Sequence, residues 1–253
     1  MSAQAHDGSV AIVTGGTSGL GKAIALRLAA EGWQVVIAGR DEGRGQAAAA
    51  EIGAGAHYVR ADATDRADLE RLAASARALG PLRGVVASAG TGLKAPLIET
   101  CEADFERILR TNLLAPLGLL QAARADLART GGAAVLVSSD AATLGEAAIG
   151  AYSVSKAALN MAGKMLALDL APQGIRVNIV CPGDIVPGMR EMLRPGEQAR
   201  PPDDYRRWPV PPLGRWGEAR DVGAVTAFLL SDDAAFMTGS VVLVDGGSRA
   251  GYR

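Results

Sequence analysis

The sequence predicts an α/β protein with a doubly wound, mainly parallel sheet of seven strands and helices on both faces. Short apolar runs rich in β-branched residues recur along the 253 residues, and longer Ala/Leu/Arg segments with helical spacing separate them. This alternation implies right-handed βαβ crossovers. The composition, 49% hydrophobic and 21% charged, supplies enough apolar material for a substantial core. No linker, charge block or repeat interrupts the pattern, so we expect residues 1–253 to form a single dinucleotide-binding and catalytic domain.

The strands follow one another in chain order. They are VAIVT from Val10, QVVIAG from Gln34, HYVRAD from His57, GVVASAG from Gly84, AAVLVSS from Ala133, IRVNIV from Ile175 and VVLVDGG from Val241. Short, continuously apolar runs are typical of strands buried on both faces. Helices are predicted between them, as in LGKAIALRLAAEG from Leu20 and in DLERLAASARALG from Asp68, which ends at a candidate C-cap, Gly80. Ligands of such sheets bind at the carboxyl ends of the strands, so the residues that follow each strand are the candidate site.

Charge and composition argue against several classes of partner. A formal charge of −1 and a pI near 6.2 offer no field for nucleic acid or an anionic membrane surface. Cys101, Cys181, His6 and His57 are scattered without ligand spacing, so we expect neither a disulfide framework nor a metal site. The N-terminal segment lacks the pattern of a signal peptide, and no apolar run is long enough to span a membrane. The sequence therefore predicts a cytoplasmic protein.

A glycine-rich turn, TGGTSGLG (residues 14–21), follows the first strand and opens the first helix. Glycines in this position let a pyrophosphate approach backbone N–H groups at the positive end of the helix. The turn lacks the Lys-Ser/Thr ending of a P-loop, which argues against an NTPase. The candidate contacts are Gly15, Thr17, Ser18, Gly19, Leu20 and Gly21. The turn thus predicts a dinucleotide site.

The segment AYSVSKAAL (residues 151–159) places Tyr152 and Lys156 four residues apart. On a helix these two side chains share one face. Either the Lys stem lies against the ring on the surface, or the ammonium tunes the acidity of the phenol. An ammonium about 4 Å away could supply the roughly 3-unit fall in pKa that poises a phenol near neutrality.

The segments TGGTSGLG, Asn112, Ser139, YSVSK and PGDI, in this order, resemble the short-chain dehydrogenase/reductase family, whose fold is Rossmann-like. The resemblance runs from Val10 to Gly247 and includes PLGRWGEARDV, MTGS and VDGG near the C-terminus. It implies an NAD(P)-dependent oxidoreductase that transfers hydride between a nicotinamide cofactor and a small-molecule carbonyl or alcohol.

The resemblance also assigns catalytic roles. Tyr152 would be the general acid/base, and Lys156 would sustain it and bond the nicotinamide ribose. Ser139 would hydrogen-bond the substrate oxygen, although Ser138 is an alternative. Asn112 would hold a water in a proton relay, or it would only bend a helix that a nearby proline also disturbs.

Further cofactor contacts are implied after the later strands. Asp62, with Ala63, would lie near the adenine or would cap a helix. The others are Ala89 and Gly90 after the fourth strand and Pro182, Gly183 and Ile185 after the sixth.

The residues after the second strand predict that NADP(H) is preferred, with NAD(H) possible. NAD-dependent enzymes usually carry a carboxylate for the ribose hydroxyl, but here that position is Gly39. Arg40 follows and could bind a 2'-phosphate. The alternatives are that Arg40 pairs with Asp41 or Glu42, or that Asp41 turns inward to take the hydroxyl. Ser18, directly before Gly19, is not the basic residue that some NADP-dependent relatives carry at this position.

Two positions depart from the family pattern. Ala87-Ser88-Ala89-Gly90 stands for Asn-Asn-Ala-Gly, and Pro187 stands where a Thr often contacts the cofactor. A substrate lid is predicted at 184–213 because this segment is long and Pro-rich. Within it, Met189, Tyr205 and Trp208 would line a pocket or anchor the lid.

The function that these features favour is NADPH-dependent ketone reduction. The alternatives are an NAD-dependent alcohol dehydrogenase of the same family, a non-catalytic dinucleotide sensor, and an epimerase or dehydratase without net redox change. The resemblance also implies a homotetramer or a homodimer, because members of the family commonly pair the helices that bear Asn112 and Tyr152 with their copies. The apolar stretches LLAPLGLL (113–120) and AALNMAG (157–163) could provide that surface.

Overall fold

A single parallel sheet forms the centre of the computed structural model, which describes residues 8–186 and 210–251. Its strands are β1 (Val10–Thr14), β2 (Gln34–Gly39), β3 (Ala56–Arg60), β4 (Leu82–Ala87), β5 (Ala133–Val137), β6 (Arg176–Pro182) and β7 (Val241–Val244). They lie in the order β3-β2-β1-β4-β5-β6-β7, and every neighbouring pair is parallel. The predicted fold class is confirmed; β1 and β2 have the predicted bounds, and the bounds of the other five strands differ from prediction by one to three residues at one or both ends.

Helices cover both faces of the sheet. They are α1 (Gly19–Ala30), α2 (Glu42–Ile52), α3 (Arg66–Leu79), α4 (Glu102–Leu109), α5 (Ala115–Thr130), α6 (Gly150–Leu170) and α7 (Ala219–Leu230). One turn of π-helix, Arg110–Leu114, joins α4 to α5. Helices α3, α5 and α6 pack against one face, whereas α1, α2 and α7 pack against the other.

Strand β1 shows how the sequence builds these two cores. Val10 and Ile12 point into the core under α3, α5 and α6, whereas Ala11 and Val13 point into the core under α1, α2 and α7. All four are fully buried. Side chains alternate between the faces of a strand, so a continuously apolar run is what a strand covered on both sides requires.

The predicted lid falls largely outside the described residues. Residues 187–209, which include Pro187, Met189, Tyr205 and Trp208, are not among those the structure describes. At the two ends of this segment, Ile185 pairs with Gly217 and the Leu213 N–H donates to the Gly246 carbonyl. No helix in the described ranges is long and apolar enough to cross a membrane, and the same residues form no cluster of metal-ligating side chains.

Candidate active site

The glycine-rich turn after β1 packs tightly on the end of β4. A Cβ on Gly15 would lie 2.9 Å from backbone atoms of Ala89, and a Cβ on Gly21 would lie 2.3 Å from the Gly15 carbonyl oxygen. Gly19 differs, because its φ is +51° and a Cβ there would meet no atom within 4 Å. Packing requires glycine at positions 15 and 21. Gly19 leaves the backbone open on the side where a ligand would approach.

Helix α1 begins without a protein cap. Ser18 occupies the N-cap in an extended conformation and makes no side-chain capping bond, and the first turn carries no acidic residue. The N–H groups of the first turn therefore have no carboxylate or hydroxyl partner from the cap. Together with the helix dipole, they form a site suited to an anion such as a pyrophosphate. Thr17 and Leu20 flank this site within the turn.

The end of β2 is narrow at Gly39, the position where a carboxylate would meet the ribose hydroxyl of NAD. A Cβ on Gly39 would lie 2.7 Å from the methyl carbon of Thr17. The Tyr58 hydroxyl donates to the Gly39 carbonyl at 3.0 Å and holds this strand end in place. The absence of a carboxylate is therefore part of the local packing.

Arg40 lies exposed beside a cavity of about 630 Å³ that Arg60 and Asp62 also line. Asp41 does not pair with it: its Oδ1 accepts from the Arg44 N–H at 2.9 Å and caps α2, and its Oδ2 lies 3.4 Å from the Arg44 guanidinium. Within the described ranges, Arg40 forms no ion pair. The predicted alternatives, pairing with Asp41 or Glu42 and an inward turn of Asp41, are not observed.

Asp62 stabilises a turn rather than a helix. Its Oδ1 accepts from the N–H and hydroxyl of Thr64 at 2.9 and 2.8 Å. The N-cap of α3 is Asp65, which accepts from the Asp68 N–H. The helix-cap interpretation of Asp62 is therefore wrong, because α3 begins three residues later than that interpretation requires. Asp62 lines the cavity beside Arg40, and the half-buried Ala63 follows it in the chain.

Tyr152 and Lys156 both face the interior from α6. Their exposed fractions are 6% and 3%, so the surface interpretation of the pair is wrong. The Lys156 Nζ lies 5.7 Å from the centre of the Tyr152 ring and donates to the Val137 carbonyl, at the end of β5, at 2.8 Å. Strand β5 thus anchors the ammonium beside the phenol.

The two serines after β5 have different surroundings. The Ser138 hydroxyl is buried and donates to the Lys156 carbonyl at 3.2 Å, which ties β5 to α6. The Ser139 side chain interacts with the Tyr152 phenol, and its Oγ accepts from the Ala141 N–H at 3.2 Å. Of the two, Ser139 is the one placed to act with Tyr152.

Asn112 lies fully buried at the centre of the π-helical turn. Its Oδ1 accepts from the Thr91 N–H, and its Nδ2 donates to the Thr91 carbonyl and to the Ser155 hydroxyl, all within 2.9 Å. The Cβ position of Gly90 is 3.5 Å from this Oδ1 and 3.7 Å from the Lys156 Nζ. Asn112 thereby joins the end of β4 to α6, and single π turns are frequent at functional sites.

The residues after β6 complete the edge of the sheet. Pro182 ends β6, and the Gly183 N–H donates to the Val244 carbonyl at 3.0 Å. A Cβ on Gly183 would lie 2.7 Å from the Cβ of Asp245, so no larger residue fits there. Ile185 follows and pairs with Gly217. The predicted residues after β1, β4, β5 and β6 therefore lie near one another at the carboxyl edge of the sheet.

The net effect of the surrounding protein is to raise the pKa of Tyr152. Burial raises the pKa of Tyr152 to about 12, although interaction with Ser139 acts in the opposite direction. Burial also lowers the pKa of Lys156 to about 8. Burial therefore acts on the phenol against the shift that Lys156 was expected to cause.

The structure adds charged residues that the sequence did not indicate. Asp140 follows Ser139 directly, and the Arg249 guanidinium reaches its carboxylate at 2.9 Å. Glu146 lies 3.9 Å from the same guanidinium. Asp140 could have been suspected from its position beside Ser139, but no sequence signal joins it to Arg249.

Comparison with known proteins agrees with this geometry. Residues 15–249 match the family model described as enoyl-(acyl carrier protein) reductase. The chain belongs to the short-chain dehydrogenase/reductase family. Its members are oxidoreductases that act on CH–OH or C=O groups with a nicotinamide cofactor.

Individual relatives resemble the chain along nearly its whole length. The oxidoreductase asL5 of Sarocladium schorii is 37% identical over 95% of both chains. The NADP-dependent (R)-specific alcohol dehydrogenase of Lentilactobacillus kefiri is 34% identical over 96% of this chain and 97% of its own. A solved structure of a blue fluorescent protein from a metagenomic library in complex with NADPH superposes with a TM-score of 0.84 at 34% identity, covering 96% of this chain and 99% of its own.

Proposed function

We propose that this protein is an NADPH-dependent ketone reductase. The observation that carries the proposal is the grouping of the half-buried Ser139 with the buried Tyr152 and Lys156, beside a turn whose backbone is open to a dinucleotide. Dehydrogenation of an alcohol with NAD is the second candidate within the same family, because the catalytic grouping serves both directions.

The residues present fit a nicotinamide dinucleotide. The uncapped first turn of α1 suits the pyrophosphate, and Gly19 leaves room for its approach. The cavity beside Arg40 and Asp62 suits the adenosine end. When bound, the reduced nicotinamide supplies the hydride.

The chain's own residues supply the proton and position the substrate. Tyr152, with a pKa of about 12, is a protonated phenol at neutral pH, which is the form that donates a proton to a carbonyl oxygen. Ser139 holds that oxygen beside the phenol. Lys156 supports Tyr152 from the same helix and would bond the nicotinamide ribose, and Asn112 ties Thr91, the neighbour of Gly90, to Ser155. Both N–H groups of the Asn112 amide already donate hydrogen bonds, to Thr91 and to Ser155. A water of a proton relay would therefore have to bind an oxygen atom of Asn112.

Preference for NADP(H) is supported by the end of β2. Gly39 offers no carboxylate, Asp41 is occupied at the start of α2, and Arg40 lines the cavity without an ion pair in the described part of the chain. A guanidinium in this situation can take a 2'-phosphate through charge-assisted hydrogen bonds. The NADP-dependent relative and the NADPH complex are consistent with this assignment.

An assembly of identical subunits is also proposed, as a homotetramer with a homodimer next. Val154, Met161, Met165 and Leu168 form an exposed apolar stripe on α6, with exposed fractions from 41% to 69%. The stretch LLAPLGLL contributes less than the sequence suggests, because Leu119 and Leu120 point into the core and Leu114 is its exposed member. The lid at 184–213 and the cytoplasmic location remain predictions.

The proposal is tested with a panel of ketones and alcohols, following absorbance of the reduced nicotinamide. We expect turnover of ketones by the wild type, near-complete loss in Tyr152→Phe, and dinucleotide binding retained in that variant. Dinucleotide binding without turnover of any substrate in the panel would instead indicate the sensor. A Tyr152→Phe variant as fast as the wild type would refute the assigned proton donor.

A further inference from the structure

Asp140 and Arg249 form an ion pair directly behind Ser139. The Arg249 Nη2 lies 2.9 Å from the Asp140 Oδ2, and the two side chains are 15% and 12% exposed. The other carboxylate oxygen, Oδ1, accepts from the Ser139 hydroxyl at 3.3 Å. A chain of contacts thus runs from Arg249 through Asp140 to the residue that holds the substrate oxygen.

Arg249 is held in place by its own backbone. Its N–H donates to the Asp245 Oδ2 at 2.8 Å, and the Gly247 N–H donates to the Oδ1 of the same aspartate at 3.0 Å. The turn after β7 therefore directs the guanidinium toward Asp140. The Arg249 Nε is buried without a hydrogen-bond partner within the described part of the chain.

The hydroxyl of Ser139 has a single proton, so its direction matters for the substrate. When it is donated to the Asp140 carboxylate, and the Ala141 N–H occupies one lone pair, Ser139 can offer the substrate only an acceptor. A carbonyl oxygen needs a donor, and Ser139 becomes one only when Asp140 is protonated and no longer takes its proton.

We propose that Asp140, positioned by Arg249, decides whether Ser139 can donate its hydroxyl hydrogen to the substrate carbonyl, and so makes the binding of a ketone depend on pH. Protonated Asp140 frees the Ser139 hydroxyl to donate to a ketone oxygen, and ionised Asp140 takes that hydrogen bond itself. This inference rests on the proposed oxidoreductase function and names two positioning residues for it.

Several other charged or titratable groups surround Asp140. Burial raises the pKa of the Asp140 carboxyl, while Arg249 and the Ser139 hydroxyl oppose that rise. Glu146 and Asp184 are close enough to feel its charge, as are the Tyr152 phenol and the Cys181 thiol. Removal of Arg249 must raise the pKa of Asp140, and removal of the negative charge of Glu146 must lower it.

The test is the pH profile of kcat/KM for ketone reduction. We expect it to rise as pH falls through the pKa of Asp140. Arg249→Gln should move this transition up by about one pH unit or more, Arg249→Lys should restore it, and Glu146→Gln should move it down. Asp140→Asn should abolish the transition, because its amide cannot change charge. Arg66→Gln, which breaks an exposed pair with Glu70, is the matched control and should leave the profile unchanged.

A second measurement does not depend on turnover. Isotope-edited NMR of aspartate carboxyl carbons should show that the titration of Asp140 moves in Arg249→Gln in the same direction as the kinetic transition. A wild type that reduces no ketone would overturn the proposed function. If the wild type is active but its transition stays at the same pH in Arg249→Gln, or persists in Asp140→Asn, only the role given to Asp140 and Arg249 is overturned. The pair would then serve as an anchor of the chain.

Discussion

The buried ammonium of Lys156 should cost the protein stability, and Lys156→Met should recover it. The fall of the Lys156 pKa from 10.5 to about 8 on folding corresponds to about 3 kcal/mol of penalty for holding the charged form at neutral pH. Methionine keeps the length of the stem but loses the hydrogen bond to the Val137 carbonyl, a loss of about 1 kcal/mol. We therefore expect Lys156→Met to be about 2 kcal/mol more stable than the wild type at pH 7.

The gain in stability of Lys156→Met should depend on pH in a defined direction. Below about pH 8 both states bind the proton and the penalty is complete. Between about pH 8 and 10.5 the unfolded chain binds more protons than the folded one, so the wild type becomes more stable as pH rises. The advantage of the variant should thus nearly vanish at about pH 10.

Urea unfolding of the protein without added nucleotide, at pH 7 and pH 10, measures this effect. Lys164→Met, on the exposed side of the same helix, controls for the substitution itself. Lys156→Met should also lose ketone reduction, since a stabilising change at a catalytic position sacrifices function. If Lys156→Met were less stable than the wild type by the same amount at both pH values, the claim that the ammonium is desolvated would be refuted.

Three further outcomes follow from the same geometry. Arg40→Ala should lose a contact of about 1.5 to 3 kcal/mol, so the preference for NADPH over NADH in kcat/KM should fall roughly ten- to hundred-fold; a wild type that uses NADH equally well would contradict this. Alcohol oxidation needs the deprotonated form of Tyr152, whose pKa is about 12, so its rate should keep rising with pH above neutrality, and a profile that falls there would refute the base. Met165→Glu, in the exposed stripe of α6, should reduce the mass measured by light scattering, and a monomeric wild type at micromolar concentration would remove the proposed assembly.

Features encoded by local pattern could be predicted from the sequence. The alternation of apolar strands and helices predicted the parallel sheet. A strand such as β1 has to be apolar on both faces because helices cover both faces of the sheet. The candidate residues around Ser139, Tyr152 and Lys156 lie together because they follow neighbouring strands or share one face of α6. The order of the motifs and the periodicity of a helix were therefore enough to predict this grouping.

Features set by burial and long-range contact could not be predicted. The pKa of Tyr152 depends on how completely the surrounding elements exclude water, and that exclusion reversed the expected direction of its shift. The role of Asp62 depended on where α3 begins, which a cap-forming residue at Asp65 decides. Arg249 reaches Asp140 only because β7 lies beside β6 in the sheet.

The central claim is that this chain transfers hydride from a nicotinamide to a carbonyl carbon while Tyr152 provides the proton. Reduction of a ketone from the substrate panel with NADPH that carries deuterium at the hydride position, followed by mass spectrometry of the product, tests it most directly. The account predicts that the deuterium appears on the carbinol carbon of the alcohol in the wild type and that Tyr152→Phe forms almost no product. An alcohol without the label, or labelled alcohol formed at an undiminished rate by Tyr152→Phe, would contradict it.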